Sequence, residues 1–324
     1  RLIMNLKDKV YSMFILGTDG GGYLVALKHP LGGMIFFTHD IQSKDQFKSL
    51  INDIKSKASA PLILSIDQEG GRVERTENIH NGKKYLSAKF AYEKGGDFLK
   101  SQTADIAQEL KSYGLNLNFA PCIDVNTNPN NPIIGERSFS DSPDKVIHAE
   151  KIVSETYLQN GIIPCVKHFP RHGDAIADSL LNLPKIDLSL EVMEKIHIKP
   201  FKAAVENGIK MVMAAHLHCT CFEEEPIPAS LSKKALSYLR SKLGFNGLIV
   251  SDDMIMRGVA GFGDVEACLM GIHAGLNMFI YRNSMPQTIS VIEQIASLAL
   301  DDVELARCIN ENYEKISDFK KNML

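Results

Sequence analysis

Five apolar segments of this chain end on side chains that can do acid–base or ionic chemistry. One runs Ser65-Ile66 into Asp67-Gln68-Glu69-Gly70-Gly71-Arg72, and a second runs Asn118-Phe119-Ala120-Pro121 into Asp124. The others close as Lys167-His168-Phe169-Pro170, Ala214-Ala215-His216 and Ser251-Asp252-Asp253. A carboxylate beside a cation stays ionised and can act as a nucleophile or hydrogen-bond acceptor, and a histidine can move a proton. Taken singly, an aspartate after a strand reads as a helix cap or turn residue, and His216 as a hydrogen-bonded core histidine. Five such endings in one chain read instead as one rim on which a site is assembled.

The elements that must carry these endings alternate regularly. Apolar, β-rich runs occur at 13–17, 33–38, 62–67, 115–121, 165–169, 211–216, 248–252 and 278–281. They are continuous rather than alternating, as strands covered on both faces should be. Amphipathic stretches at 44–57, 102–113, 144–160, 190–207, 232–243 and 265–274 lie between them, and Gly114, Gly161 and Gly208 stand where helices should stop. Strand and helix repeated eight times predict an α/β fold, a single (β/α)8 TIM barrel. Residues 286–324 are expected to add C-terminal helices, and no linker-like segment divides the chain, so 1–324 reads as one catalytic domain. Barrels of this kind place their chemistry at the carboxyl ends of the strands, where the five endings fall.

Composition narrows the classes of partner. The 324 residues are 44% hydrophobic and 23% charged with a formal net charge of −3, and the cations are scattered. That argues against nucleic acid, which calls for a basic face. No apolar run is long enough for a membrane span, and residues 1–9 lack a signal peptide's apolar core. Six cysteines in mostly apolar surroundings suit a reducing compartment, so the expected location is cytoplasmic. The cluster His216-Leu217-His218-Cys219-Thr220-Cys221 lacks the paired spacing of a zinc site, and Gly20–Gly22 reads as a turn rather than a phosphate loop. Neither metal nor cofactor is expected.

The segment Asp67-Gln68-Glu69-Gly70-Gly71-Arg72-Val73 resembles the IDQEGGRV motif of family 3 glycoside hydrolases, in particular the bacterial β-N-acetylglucosaminidases of cell-wall recycling. Phe119-Ala120-Pro121, Ile134-Gly135-Glu136-Arg137-Ser138-Phe139-Ser140, Lys167-His168-Phe169-Pro170, Pro228-Ala229-Ser230-Leu231-Ser232 and Ser251-Asp252-Asp253-Met254 match further motifs in the family's order, over nearly the whole chain. The resemblance implies that Asp252 is the nucleophile of a retaining hydrolase. It implies that Asp67, Arg137, Lys167 and His168 hold the hydroxyls of the terminal sugar; His216, read from its place at a strand end, is expected among the substrate-binding residues.

One motif departs from the family. Its general acid/base is a histidine two residues after an aspartate, in the pattern DSH, whereas this chain has Asp178-Ser179-Leu180, and Arg171 stands where the family has glycine. Leucine cannot transfer a proton, and losing a positioned acid/base costs about 10²–10⁴ in rate. His172, Asp174 and Asp178 on the same loop are the candidate substitutes, with Arg171 a candidate to steady the leaving group. The resemblance therefore implies an exo-acting β-N-acetylhexosaminidase-like enzyme for N-acetylglucosamine-containing wall fragments, with altered acid/base catalysis. Its rival is a sugar-binding or regulatory protein that has lost turnover. Either would take a small sugar as its partner and be a monomer or weak dimer.

Overall fold

A computed structural model of the chain describes residues 5–172, 176–177 and 183–324. Nine strand segments form one parallel sheet: β1 (Phe14–Asp19), β2 (Gly33–Phe36), β3 (Ile63–Ile66), β4 (Leu117–Asn118), β5 (Ile163–Pro164), β6 (Val166–Phe169), β7 (Met211–Ala214), β8 (Leu248–Asp253) and β9 (Met278–Asn283). Their order is β5-β4-β3-β2-β1-β9-β8-β7-β6. Only Cys165 separates β5 from β6, so the two ends of that order are consecutive in the chain. A parallel bridge from Cys122, in the segment that follows β4, to Lys167 of β6 carries the pairing across that junction, and the sheet curls into a nearly closed barrel. β5 and β6 together occupy the place of the expected fifth strand, which makes eight staves. The barrel predicted from the alternation of strand and helix is the fold observed.

The expected fourth strand, 115–121, shrinks to two residues for a local reason. Pro121 and Pro164 have no N–H to give the ladder. Beside them the Asn116 side chain takes over pairing, accepting from Leu64 N at 2.8 Å and donating to Leu62 O at 3.0 Å.

Helix boundaries follow their caps. Ser43 accepts from Gln46 N at 3.1 Å to start Lys44–Lys57, and Ser142 with Pro143 starts Pro143–Gln159. Gly114, Gly161 and Gly208 adopt φ of 96°, 77° and 88°, the left-handed conformation of a residue just past a helix. The stretch expected as one helix over 190–207 is instead broken. A π-helical turn spans Met193–His197 and a fresh helix begins at Lys199–Glu206, where Pro200 cannot donate to the preceding turn.

The last two helices, Pro286–Ala299 and Val303–Met323, pack against the N-terminal helix Leu6–Tyr11. Lys320 Nζ donates to Leu31 O at 3.0 Å and Pro61 O at 2.6 Å, just ahead of β2 and β3. The chain's end is thereby tied to the amino-terminal mouth and leaves the opposite mouth open for a site. Above that open mouth, Ile176–Ala177 pairs with Pro184–Ile186, which pairs with His218–Cys219. Among the described residues no helix is long and apolar enough to cross a membrane.

Candidate active site

The loop after β3 is built rigidly. Gln68 N donates to Asn118 Oδ1 and Asn118 Nδ2 returns a bond to Gln68 O, both at 2.9 Å, while Gln68 Oε1 accepts from Arg75 N at 2.7 Å. Gly70, at φ 104°, passes so close to the next segment that a Cβ would lie 2.2 Å from Leu86 O. Only glycine fits there. The loop so held places Asp67, Glu69 and Arg75 at the carboxyl end of the barrel.

These side chains meet others from β6, β8 and β9. A cavity of about 250 Å³ is lined by Asp67, Arg75, Arg137, Lys167, His168, His172, Asp252, Asp253 and Arg282, with Phe37, Ile133 and Met256 as apolar walls. It lies just under the range of about 300–1,000 Å³ usual for small-molecule sites. A larger space of about 900 Å³ opens beside Arg240, Glu266, His273 and Arg307, next to Asn277 just ahead of β9, and shares no lining residue with the first.

At the floor of the mouth sits a buried ionic cluster. Lys167 Nζ, its side chain 2% exposed, lies 2.7 Å from Glu69 Oε1 and 3.1 Å from Asp67 Oδ1. Arg137 grips Glu69 with two bonds, Nε at 2.9 Å and Nη2 at 2.8 Å. Burial pushes the Glu69 carboxyl up, but Arg137 and Lys167 override it and hold the group far below the usual carboxylate range. Nearby carboxylates, Glu69 first, outweigh burial at Lys167 and raise its ammonium, so Glu69 and Lys167 face each other as a buried ion pair. Arg72 adds a brace from its guanidinium to Pro132 O at 2.6 Å, fixing the loop that carries Arg137.

A second cluster lies beside it. Asp124 Oδ2 accepts from His168 Nδ1 at 2.7 Å, and Asp124 Oδ1 accepts from His172 N at 2.7 Å. The His168 and His172 rings pack edge to face with centroids 4.9 Å apart. His172 Nδ1 is buried without a hydrogen-bond partner among the described residues. Burial, reinforced by His168, drives the His172 imidazole down to about 4, so it is neutral at pH 7. Donor atoms of Cys122, Asp124 and His168 fall within 4.8 Å of one another, a different group from the 216–221 run weighed for metal in the sequence.

Asp252 ends β8 and faces the same cavity. Its Oδ1 accepts from Asp253 N at 2.8 Å. Burial raises its carboxyl, but the imidazoles of His168, His216 and His172 outweigh that and hold it below the ordinary value. Asp253 turns aside to pair with Arg282, whose Nε and backbone N–H both reach its carboxylate.

The sequence-derived residues therefore separate. Asp67, Arg137, Lys167, His168, His172 and Asp252 share the cavity. His216 does not line it: Nδ1 is 2.6 Å from Ser230 Oγ, and Nε2 lies 3.0 and 3.1 Å from the carbonyls of Asp252 and Asp253. Both ring nitrogens therefore have partners, one on Ser230 and one at the end of β8. The buried Arg171 guanidinium donates to His197 Nε2 at 2.8 Å and Thr127 Oγ1 at 2.9 Å. Asp174, Asp178 and Leu180 lie outside the described residues.

Sequence reasoning passed over Glu69, Arg75 and Arg282. The signal for Arg282 was the one used five times elsewhere, a charge ending an apolar run, here Phe279-Ile280-Tyr281-Arg282.

Fold and cavity together define a class: a (β/α)8-type barrel with a polar, carboxylate-bearing site at the carboxyl-terminal mouth of its strands. The chain belongs to the family described as the glycosyl hydrolase family 3 N terminal domain, whose profile matches residues 23–316. It is 33% identical over 272 residues to beta-hexosaminidase A of Pseudoalteromonas piscicida, spanning 78% of this chain but 46% of that protein. It is 32% identical over 279 residues to the beta-hexosaminidase of Tolumonas auensis, covering 82% of this chain and 80% of the relative. Among solved structures, a family 3 beta-N-acetylglucosaminidase from a Paenibacillus strain superposes with a TM-score of 0.89 at 26% identity, over 98% of this chain and 63% of that one.

Proposed function

We propose that the protein is an exo-acting, retaining β-N-acetylhexosaminidase-type glycoside hydrolase with altered acid/base catalysis, releasing N-acetylglucosamine from cell-wall fragments. The observation that carries this reading is that the Asp252 carboxylate opens onto the same small cavity as Asp67, Arg137, Lys167 and His168. A space of that size suits one terminal sugar. The names of the relatives point to the same substrate class. Six free thiols are in keeping with a reducing, cytoplasmic setting, and we take the protein as a monomer or weak dimer.

In this reading Asp67, Lys167 and His168 take the sugar's hydroxyls, and Arg137 keeps Glu69 and thereby Lys167 in place. Ionised Asp252 attacks the anomeric carbon as the bond to the aglycone oxygen breaks, giving a glycosyl-enzyme ester. The leaving oxygen takes up a proton; in the second half water loses one and cleaves the ester. His172 and Asp178 are the groups assigned to that proton traffic. A neutral His172 suits the base half better than the acid half. Substrates whose leaving group needs no protonation should accordingly be cleaved best.

The test is hydrolysis of an aryl N-acetylglucosaminide. Asp252→Ala should lower turnover by about 10⁴ or more, the scale of nucleophile removal. Unchanged activity would take Asp252 out of the mechanism. The second reading, sugar binding without turnover, is favoured by Leu180 alone; a covalent adduct of a 2-fluoro glycosyl donor at Asp252 would dispose of it.

A further inference from the structure

Asp124 leaves β4 with a side chain that has no solvent exposure. Four donors converge on it: His168 Nδ1 at 2.7 Å, His172 N at 2.7 Å, His168 N at 3.3 Å and Cys122 Sγ at 3.2 Å. Two are backbone groups, one within β6 and one just beyond it, and one is the ring of a histidine lining the cavity. Burying a carboxylate this completely is costly unless charge and hydrogen bonds compensate it. Here burial raises the carboxyl, and His168 together with His172 more than reverses the effect, so the group stays ionised. Backbone bonds alone would have served a purely structural acceptor. The ring nitrogen makes one of the two shortest contacts, and what it fixes is the chemistry of His168.

We propose that Asp124 is a positioning residue of the site: it holds His168 as the Nδ1–H tautomer, leaving Nε2 to meet the ligand, and it seats His172 against that ring. The inference rests on the reading of the cavity as a sugar site, in which His168 touches a hydroxyl. A histidine pinned through Nδ1 by a buried carboxylate presents its second nitrogen in one orientation and one protonation pattern, and an asparagine in that place favours the wrong tautomer. Asp124 therefore acts through His168 and not on the substrate.

The full chain, labelled with ¹⁵N-histidine, tests this by NMR together with calorimetric titration of N-acetylglucosamine. In the unaltered protein His168 should show Nδ1 protonated at neutral pH. An unprotonated Nδ1 would overturn the proposal. In Asp124→Asn the ring should change tautomer and the sugar bind about 10-fold more weakly, the scale of a lost hydrogen bond to a charged group. In a His168→Gln background, where the sugar is already held less tightly, Asp124→Asn should weaken binding further by less than about 2-fold. A full additional loss there would mean that Asp124 acts independently of His168 and would overturn the proposal. Should Asp124→Asn fail to fold, the ring signals of the unaltered protein decide the matter alone. Absence of any sugar binding by the unaltered protein would defeat the hydrolase reading, with the tautomer still judging Asp124.

Discussion

Lys167 Nζ lies 2.7 Å from Glu69 Oε1, on a carboxylate that Arg137 grips with two further bonds. The ammonium is thereby aimed at the cavity floor from within β6, with Asp67 3.1 Å away on its other side. Neither partner is replaceable by a neutral group without stranding a buried charge.

Replacing Lys167 by Met should therefore cost about 3–5 kcal/mol of stability, the scale for breaking one side of a buried pair. Urea denaturation measures it. Because Glu69 is held below its ordinary value, its contribution is present above that value and fades as the pH falls through the depressed one. The difference between wild type and Lys167→Met should accordingly shrink in acid.

His216 braces two consecutive carbonyls at the end of β8 while accepting the Ser230 hydroxyl. His216→Phe should release the Asp252 backbone and lower kcat on an aryl substrate by about 10²-fold, the cost of a misplacement of about 1 Å. KM should change much less. A KM effect as large as the kcat effect would instead place His216 in contact with the sugar.

Glu150 sits buried on the helix Pro143–Gln159, with Oε1 accepting from Ser154 Oγ at 2.8 Å and Oε2 without a partner among the described residues. Burial pushes its carboxyl up to about 7. The folded protein then binds a proton that the unfolded chain gives up, so stability falls as the pH rises from the ordinary glutamate value towards 7. Glu150→Gln should remove that slope and stabilise the protein at pH 8 by on the order of 1–3 kcal/mol. Thermal melts at pH 5 and pH 8 check the sign; a variant less stable than wild type at pH 8 would contradict it.

The departure at Leu180 makes a kinetic prediction. Leu180→His should speed cleavage of an unactivated glycoside by about 10²-fold or more while leaving an aryl glycoside nearly unchanged, because only the former needs its leaving oxygen protonated. His172→Ala, by contrast, should slow breakdown of the glycosyl-enzyme, seen as a larger pre-steady-state burst. Equal effects of Leu180→His on both substrates would mean that proton donation is not what the chain lacks.

Strand and helix content was legible in the chain because apolar runs, caps and stop glycines are local signals. The runs at 33–38 and 62–67 form β2 and β3, the stretch 44–57 is the helix Lys44–Lys57, and glycines 114, 161 and 208 stand where helices end. Charges ending those runs marked the rim, since a strand that stops on Asp67 or Asp252 delivers it to the same mouth of any parallel barrel. Partners were another matter. Nothing in the sequence says that Arg137 would spend its fork on Glu69, that His216 would turn to backbone carbonyls, or that Arg171 would reach His197. Those choices depend on which side chains, tens of residues apart, reach one another through space, and closing the barrel brings Lys167 within bonding distance of Asp67. Local pattern determined the scaffold and the list of reactive groups; only the closed ring of strands decided which of them meet, because burial and pairing are properties of the packed chain.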